Sequence, residues 1–500
     1  MTNNNHSSKV GRAVAWSSAA EFLSKLITPI VNMVLARLLT PDAFGIVATI
    51  TMVISFAEVF TDAGFQKYII QKEFADDDAL DRSTNVAFWT NFLMSLLACV
   101  IIFVFRHDLA RLVGSEGLGN SLSISSLMII LVSFSSIQMA RYKRDFDFKT
   151  LFVVRIGGTL IPLLVTLPAA IILKNYWAII IGNIAVHIFN AIILTVKSKW
   201  KPKFEYSFAL FKQMFSFSAW TLVESISIWL TSYIDIFIVG SYLSDFYLGL
   251  YKTSMTTVNS YMGIITAAVT PVLFSALSRS QNNEDEFKDT YYRFQRMTAV
   301  FVFPMGIGML LFSELVTLIL LGNQWMEAAP FVGLWALTSA VTIIFSHFSS
   351  EVYRSKGKPK ISFATQLIHL CILIPVLVFS IKYGFEILYI ARALVRFTLV
   401  ATALIFMHFM YKFYIHKVFI NVIPSLFSSI VMGVTGYFLK QINTAIWWQF
   451  AVIFICIMVY FTVLLTLFPK FRRELLQTPL VNKILSRLHI KIVNSQNEKQ

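Results

Sequence analysis

Fourteen apolar runs, each near the roughly twenty residues a helix needs to cross a bilayer, fill the chain from residue 14 to residue 468. Their approximate limits are 14–38, 46–70, 84–105, 121–140, 150–173, 177–196, 215–239, 250–277, 297–320, 329–353, 361–381, 387–410, 420–439 and 446–468. A backbone in lipid must satisfy its own hydrogen bonds, and runs of this length do so as helices. The sequence therefore predicts an all-α polytopic integral membrane protein with 14 transmembrane helices. Composition agrees: 57% of residues are hydrophobic and only 14% charged, against about a quarter charged in soluble domains.

Lys and Arg set the orientation. Segments on the side of the N-terminus hold 30 of them, while the opposite side has only Arg106, Arg111, Lys174, Lys382 and Lys440. An asymmetry that alternates along the chain places both termini in the cytoplasm. The net charge of +15 is thus a topology signal and not a nucleic-acid footprint. No connection is long enough for a soluble domain, and no GxxxxGK[ST] phosphate loop occurs. Gly306 and Gly308, after Pro304, lie within the ninth run, where a kink is the expectation. Cys99, Cys371 and Cys456 sit inside apolar runs and read as packing residues. No catalytic set and no metal-ligand spacing is present, so the chain reads as a non-enzyme without a resident cofactor.

The first hairpin breaks between Leu39 and Gly45, where Pro41, Asp42 and Gly45 supply turn chemistry. Its first helix carries Ser17, Glu21, Lys25, Thr28 and Asn32 at intervals of four, four, three and four, which share one face. An unpaired charge at the bilayer centre costs about 2.5–3.5 kcal/mol even on lenient scales, so this face meets helices or water. Glu21 and Lys25 either form an ion pair that locks helices together or line a wet cavity.

A shift of 204 residues places Trp16 on Trp220, Leu39 on Leu243, Thr40 on Ser244, Gly45 on Gly249 and Ile46 on Leu250. Six spans separate the copies, so both enter the membrane in the same direction. Two pseudo-symmetric six-helix lobes around a central cavity, plus two C-terminal helices, follow. The expected organisation is a cytoplasmic N-terminus (1–12), an N-lobe (13–200), a basic cytoplasmic linker (201–214), a C-lobe (215–410), two further helices (420–468) and a basic cytoplasmic tail (469–500). Polar stripes recur in the symmetry-related positions: Thr51, Ser55, Glu58 and Asp62; Glu224, Ser227, Thr231 and Asp235; Lys252, Thr256, Asn259, Thr266 and Thr270. Recurrence favours the cavity over isolated structural pairs.

LARLLTPDAFGIVA (Leu35–Ala48), FTDAGFQKYIIQ (Phe60–Gln71) and YIDIFIVGSYLSDFYLGLY (Tyr233–Tyr251), with Pro271 beyond, resemble the signatures of the Wzx-type polysaccharide flippases, a branch of the multidrug/oligosaccharidyl-lipid/polysaccharide exporter superfamily. Lys67 and Tyr68 depart from the small residues usual there, and Lys67 is placed to snorkel to the cytoplasmic headgroups. The resemblance implies a multi-pass protein of the bacterial cytoplasmic (inner) membrane. It implies that an undecaprenyl-pyrophosphate-linked oligosaccharide repeat unit is carried to the outer leaflet by alternating access. Expected partners are that glycan, membrane lipid, and polysaccharide polymerase and co-polymerase proteins, with no nucleic acid.

Such a cargo needs a wet path and a positive site for pyrophosphate. The candidate cations are Lys25, Lys252, Arg155, Arg392 and Arg396, with Lys25 the deepest; snorkelling to the membrane surface is the alternative for the three arginines. The polar and coupling candidates are Glu21, Asn32, Glu58, Asp62, Glu224, Asp235 and Asn259. Glu21, Glu224 or Asp235 either binds a coupling H+ or Na+ or pairs structurally with Lys25 or Lys252. His187, His347 and His369 read as hydrogen-bonded packing residues. Rival functions are a cation-coupled drug or metabolite antiporter of the same superfamily and a non-transporting scaffold for glycan-assembly enzymes.

Overall fold

The computed structural model describes residues 2–471 apart from 63, 359 and 470, and among the described residues every regular element is a helix. Fourteen helices are long and apolar enough to span a membrane, one for each expected run. The first six are Trp16–Leu38, Pro41–Thr61, Asp77–Val104, Gly119–Arg144, Phe148–Leu173 and Trp177–Lys197. Thr221–Tyr242, Asp245–Arg279, Glu284–Leu311 and Asn323–Ser355 follow. Lys360–Tyr383, Phe385–Tyr411, Ile423–Lys440 and Ile446–Leu467 complete the set. The expected tail beyond 471 lies outside the described residues.

Three boundaries differ from expectation, each for a local reason. The first break is only Leu39 and Thr40: Pro41 opens the second helix, where its missing N–H costs nothing, and Gly45 lies inside that helix. The second span ends by Asp62 because Gly64 takes a left-handed conformation (φ 81°) and starts a separate short helix, Phe65–Gln71. The ninth helix begins at Glu284, earlier than 297, capped by the Asn283 side chain and carrying three acidic residues in its first turn. It stops at Leu311, and Ser313–Leu320 is a helix of its own. Cys456 is buried as expected, whereas Cys371 is exposed.

Packing divides the chain into two compact units. One comprises Met1–Ala268, Val316–Trp335 and Ser362–Leu399; the other comprises Val269–Leu315, Ala336–Ile361 and the described residues from Val400 onward. In the second unit, the Pro304–Gly308 stretch stays helical, and a Cβ on Gly306 would lie 2.6 Å from that of Ala340, so glycine permits the ninth and tenth helices to touch. The Tyr460 hydroxyl donates to the Val300 carbonyl at 2.8 Å, tying the fourteenth helix to the ninth.

In the first unit the 204-residue repeat becomes spatial. A Cβ on Gly45 would sit 1.9 Å from the Asp245 carbonyl oxygen, and one on Gly249 would sit 1.9 Å from the Pro41 carbonyl oxygen. Asp245 and Pro41 are also one repeat apart, so the two hairpins meet each other through equivalent atoms, as at an isologous interface. Only glycine fits at either position. Nearby, Gln324 Nε2 donates to the Ala36 and Leu39 carbonyls at 2.6 and 2.7 Å, and Trp325 Nε1 donates to Ala36 at 2.7 Å. These bonds cover the orphaned carbonyls at the end of the first helix. The end of the seventh is covered by a different connection: a Cβ on Gly114 would fall 2.1 Å from the Gly240 carbonyl oxygen. Ser115 Oγ donates to Asp245 Oδ1 at 2.7 Å. The far ends of the two hairpins, remote from the N-terminus, are thereby closed over.

Candidate functional site

The polar stripe of the first helix finds its partner on the fifth. Glu21 lies 3.7 Å from the Lys25 ammonium one turn on and 2.5 Å from the Arg155 guanidinium across the interface. One carboxylate serves two cations, so the group carries an excess positive charge. All three side chains keep between 35% and 47% of their surface exposed. Arg155 is part of the wall of a cavity of about 600 Å³ among the first, fourth, fifth and sixth helices, to which Ser17, Thr28, Asn32, Asn183 and Asn190 also contribute; Glu21 and Lys25 are not part of that wall. Its wall is completed where the fifth helix widens into a π turn, Pro162–Thr166, because Pro162 donates no helical hydrogen bond. Gly263 on the eighth helix leaves room for Lys25: a Cβ there would lie 3.4 Å from its ammonium.

A second cavity, about 230 Å³, shares Asn32 and adds Thr51, Tyr233, Lys252, Thr256 and Thr257. The Lys252 ammonium lies 5.5 Å from the Tyr233 ring centroid, a cation–π distance. Asn32 therefore links the two cavities; the candidates Arg155, Asn32 and Lys252 line them, while Glu21 and Lys25 line neither and connect to them through the Glu21–Arg155 pair. Hydroxyls and amides of this kind donate and accept, as sugar hydroxyls do.

Other candidates go elsewhere. Asp235 is 2% exposed and Arg392 7%, and they pair with each other. Arg392 Nε and Nη2 donate to Asp235 Oδ2 at 3.3 and 3.2 Å, and the Tyr251 hydroxyl donates to the same oxygen at 3.0 Å. The Ile236 amide satisfies Oδ1 at 2.9 Å. Arg392 thus points inward and does not snorkel, and Asp235 is paired with neither Lys25 nor Lys252. Arg396 lies 4.0 Å from the Trp335 ring centroid and donates to the Trp335 carbonyl at 3.4 Å. Asn259 accepts from the Trp335 indole at 3.0 Å, which gives it a packing role.

Glu224 is held by Lys67 at 2.9 Å, so that lysine makes an ion pair across helices where headgroup contact was expected. Ser227 and Thr231 on the seventh helix return their hydroxyls to the Val223 and Ser227 carbonyls, and that stripe is largely spent on its own backbone. Glu58 lines neither cavity. Asp62 ends its helix, with its side chain outside the described residues. His369 hydrogen-bonds Thr398 at 2.7 Å and His347 approaches Thr270 at 3.3 Å. Among the described residues no three His, Cys, Asp or Glu side chains gather as a metal site.

Tyr251 closes the Tyr233–Tyr251 signature run, but no role was expected of it. Its presence in one signature with Asp235, sixteen residues before it across the hairpin turn, was the signal that the two act together.

Comparison with known proteins adds a family and a fold. The family described as polysaccharide biosynthesis protein matches residues 34–330. An uncharacterized membrane protein in the cps region of Klebsiella pneumoniae is 22% identical over 375 residues, covering 74% of this chain and 76% of its own. The succinoglycan biosynthesis transport protein ExoT of Rhizobium meliloti (strain 1021) is 23% identical over 348 residues, 70% of each chain. Among solved structures, lipid II flippase MurJ in an inward closed conformation superposes with a TM-score of 0.73 at 16% identity. That match covers 93% of this chain and all of the other.

Proposed function

The chain belongs to the polysaccharide biosynthesis protein family, and we propose that it flips a polyprenyl-pyrophosphate-linked oligosaccharide repeat unit across the bacterial cytoplasmic membrane for surface polysaccharide assembly. In this reading both termini are cytoplasmic, as the Lys and Arg distribution requires. The lobes 13–200 and 215–410 alternate access to a central path, and the closed far ends of the two hairpins are the outer gate. Polymerase and co-polymerase proteins take up the unit outside.

The observation that carries the proposal is Glu21 shared by Lys25 and Arg155 beside a cavity of amides and hydroxyls. The two cations are preorganised by one carboxylate that cannot neutralise both, and an arriving pyrophosphate takes them over. Partial exposure keeps the exchange cheap: ion pairs this open to solvent are worth no more than about 1 kcal/mol, which a doubly charged ligand outbids. On the opposite face Glu21 reclaims its partners and the cargo leaves. A proton or Na+ arriving on Glu21 frees both cations, which makes Glu21 the carboxylate through which coupling enters. The buried pair of Asp235 and Arg392 stays out of the cycle.

Complementation tests this. The gene is disrupted and restored intact or as Lys25→Ala with Arg155→Ala at matched membrane levels. Surface polymer is assayed beside lipid-linked repeat units in the cytoplasmic leaflet. Disruption removes polymer and accumulates repeat units, and the double variant does the same. Persistent polymer in the disrupted strain contradicts glycan export.

A further inference from the structure

The connection after the sixth helix is an extended strap fixed to the side of the third. Its anchor is Trp200, 6% exposed, packed among Phe65, Tyr68 and Phe88 with its ring 5.8 Å from that of Phe88. Trp89 Nε1 donates to the Lys203 carbonyl at 2.8 Å, and the Lys203 amide donates to Asn85 Oδ1 at 3.2 Å. Asn85 Nδ2 in turn donates to Glu205 at 3.3 Å, and Thr90 meets the Tyr206 hydroxyl at 3.2 Å. Phe204 stacks on Trp89 with centroids 4.5 Å apart.

A strap so firmly placed presents an unusual outer surface. Phe204 on the strap is 91% exposed, and Phe208, the first residue of the helix Phe208–Tyr242, is 72% exposed. Lys197, Lys199, Lys201 and Lys203 are exposed beside them, against one acidic residue, Glu205, which Asn85 holds. Trp89 lies seven residues beyond Arg82, the last charge of the third span. At 1.5 Å per residue that is about 10 Å into its apolar stretch. Phe204, stacked on it, stands at the depth where interfacial apolar side chains enter the headgroup and acyl boundary.

We propose that residues 197–208 are a docking surface for the anionic phospholipids of the leaflet on the N-terminal side, with the phenylalanines in the acyl region and the lysines on the phosphates. Aromatic rings at the boundary combined with several lysines match the two components of interfacial binding, apolar burial and attraction to anionic headgroups. Residues 203–206 are bound to the third helix, so the lipids they hold move with that helix, whereas Phe208 opens the helix Phe208–Tyr242 that continues into the seventh span. The inference stands independently of what the protein transports.

The test uses the full chain with Phe204→p-benzoylphenylalanine, in vesicles of phosphatidylglycerol and phosphatidylethanolamine in equal amounts with identical acyl chains. The same replacement at Phe454, an exposed residue of the fourteenth helix, is the reference. Position 204 yields an adduct ratio favouring the anionic lipid by about fivefold or more over position 454, the factor expected from about 1 kcal/mol for even one engaged lysine. Lys197→Gln, Lys199→Gln and Lys203→Gln together, or high salt, bring the ratio to that of position 454. Equal ratios at the two positions in the unmutated strap overturn the proposal. So does a protein adduct as the main product in native membranes, which assigns the strap to a protein partner.

Discussion

The two charge clusters of this protein use similar side chains to opposite ends. At Asp235 the carboxylate is in direct contact with Arg392, a tyrosine hydroxyl and a backbone amide complete its bonding, and the pair is almost wholly buried. Around Glu21, two cations compete for one carboxylate, and all remain over a third exposed beside a cavity. A buried charge left uncompensated is intolerable, so Asp235 and Arg392 hold each other in the absence of any ligand. A partly hydrated charge tolerates imbalance, and only an unbalanced cluster has a reason to bind an anion. In the proposed cycle it is charge surplus together with access, more than charge alone, that assigns the pyrophosphate to the Glu21 cluster.

The contrast has its largest consequence at Arg392. Arg392→Ala strands Asp235 in the interior and lowers stability by about 3–5 kcal/mol, seen as a fall in membrane-inserted protein and in melting temperature. Asp235→Leu with Arg392→Met removes both charges and restores the melting temperature to near the parent value. If Arg392→Ala leaves both readouts unchanged, the buried cluster is not structural. At the small end stands the Lys67–Glu224 pair, each side chain nearly half exposed. Lys67→Ala with Glu224→Ala shifts stability by no more than about 1 kcal/mol, and a larger shift in melting temperature shows that this pair resembles the buried cluster after all.

How far these distinctions were visible in the sequence depends on how local they are. The spans and the i, i+4 relation of Glu21 to Lys25 are local, and both stand in the structure. Gly45 and Gly249 were visible as equivalent positions, but as turn residues. That they face one another follows only from the packing of two hairpins. Arg155 joins Glu21 from 134 residues away and Arg392 joins Asp235 from 157, separations at which helical periodicity carries no information. Periodicity also overstated the seventh helix, because a serine or threonine on a polar face can spend its hydroxyl on the carbonyl one turn back.

The most direct measurement is binding of farnesyl pyrophosphate, a short polyprenyl pyrophosphate, to the purified protein, comparing the parent with Lys25→Gln/Arg155→Gln and with Glu21→Gln. Losing both cations weakens binding by at least about tenfold, since hydrogen bonds to charged groups contribute about 1.5–3 kcal/mol each. Removing the competing carboxylate strengthens binding. If Glu21→Gln instead weakens binding as much as loss of the cations, Glu21 is a support for the site and not the ligand's rival, and the assignment of the surplus charge to pyrophosphate fails.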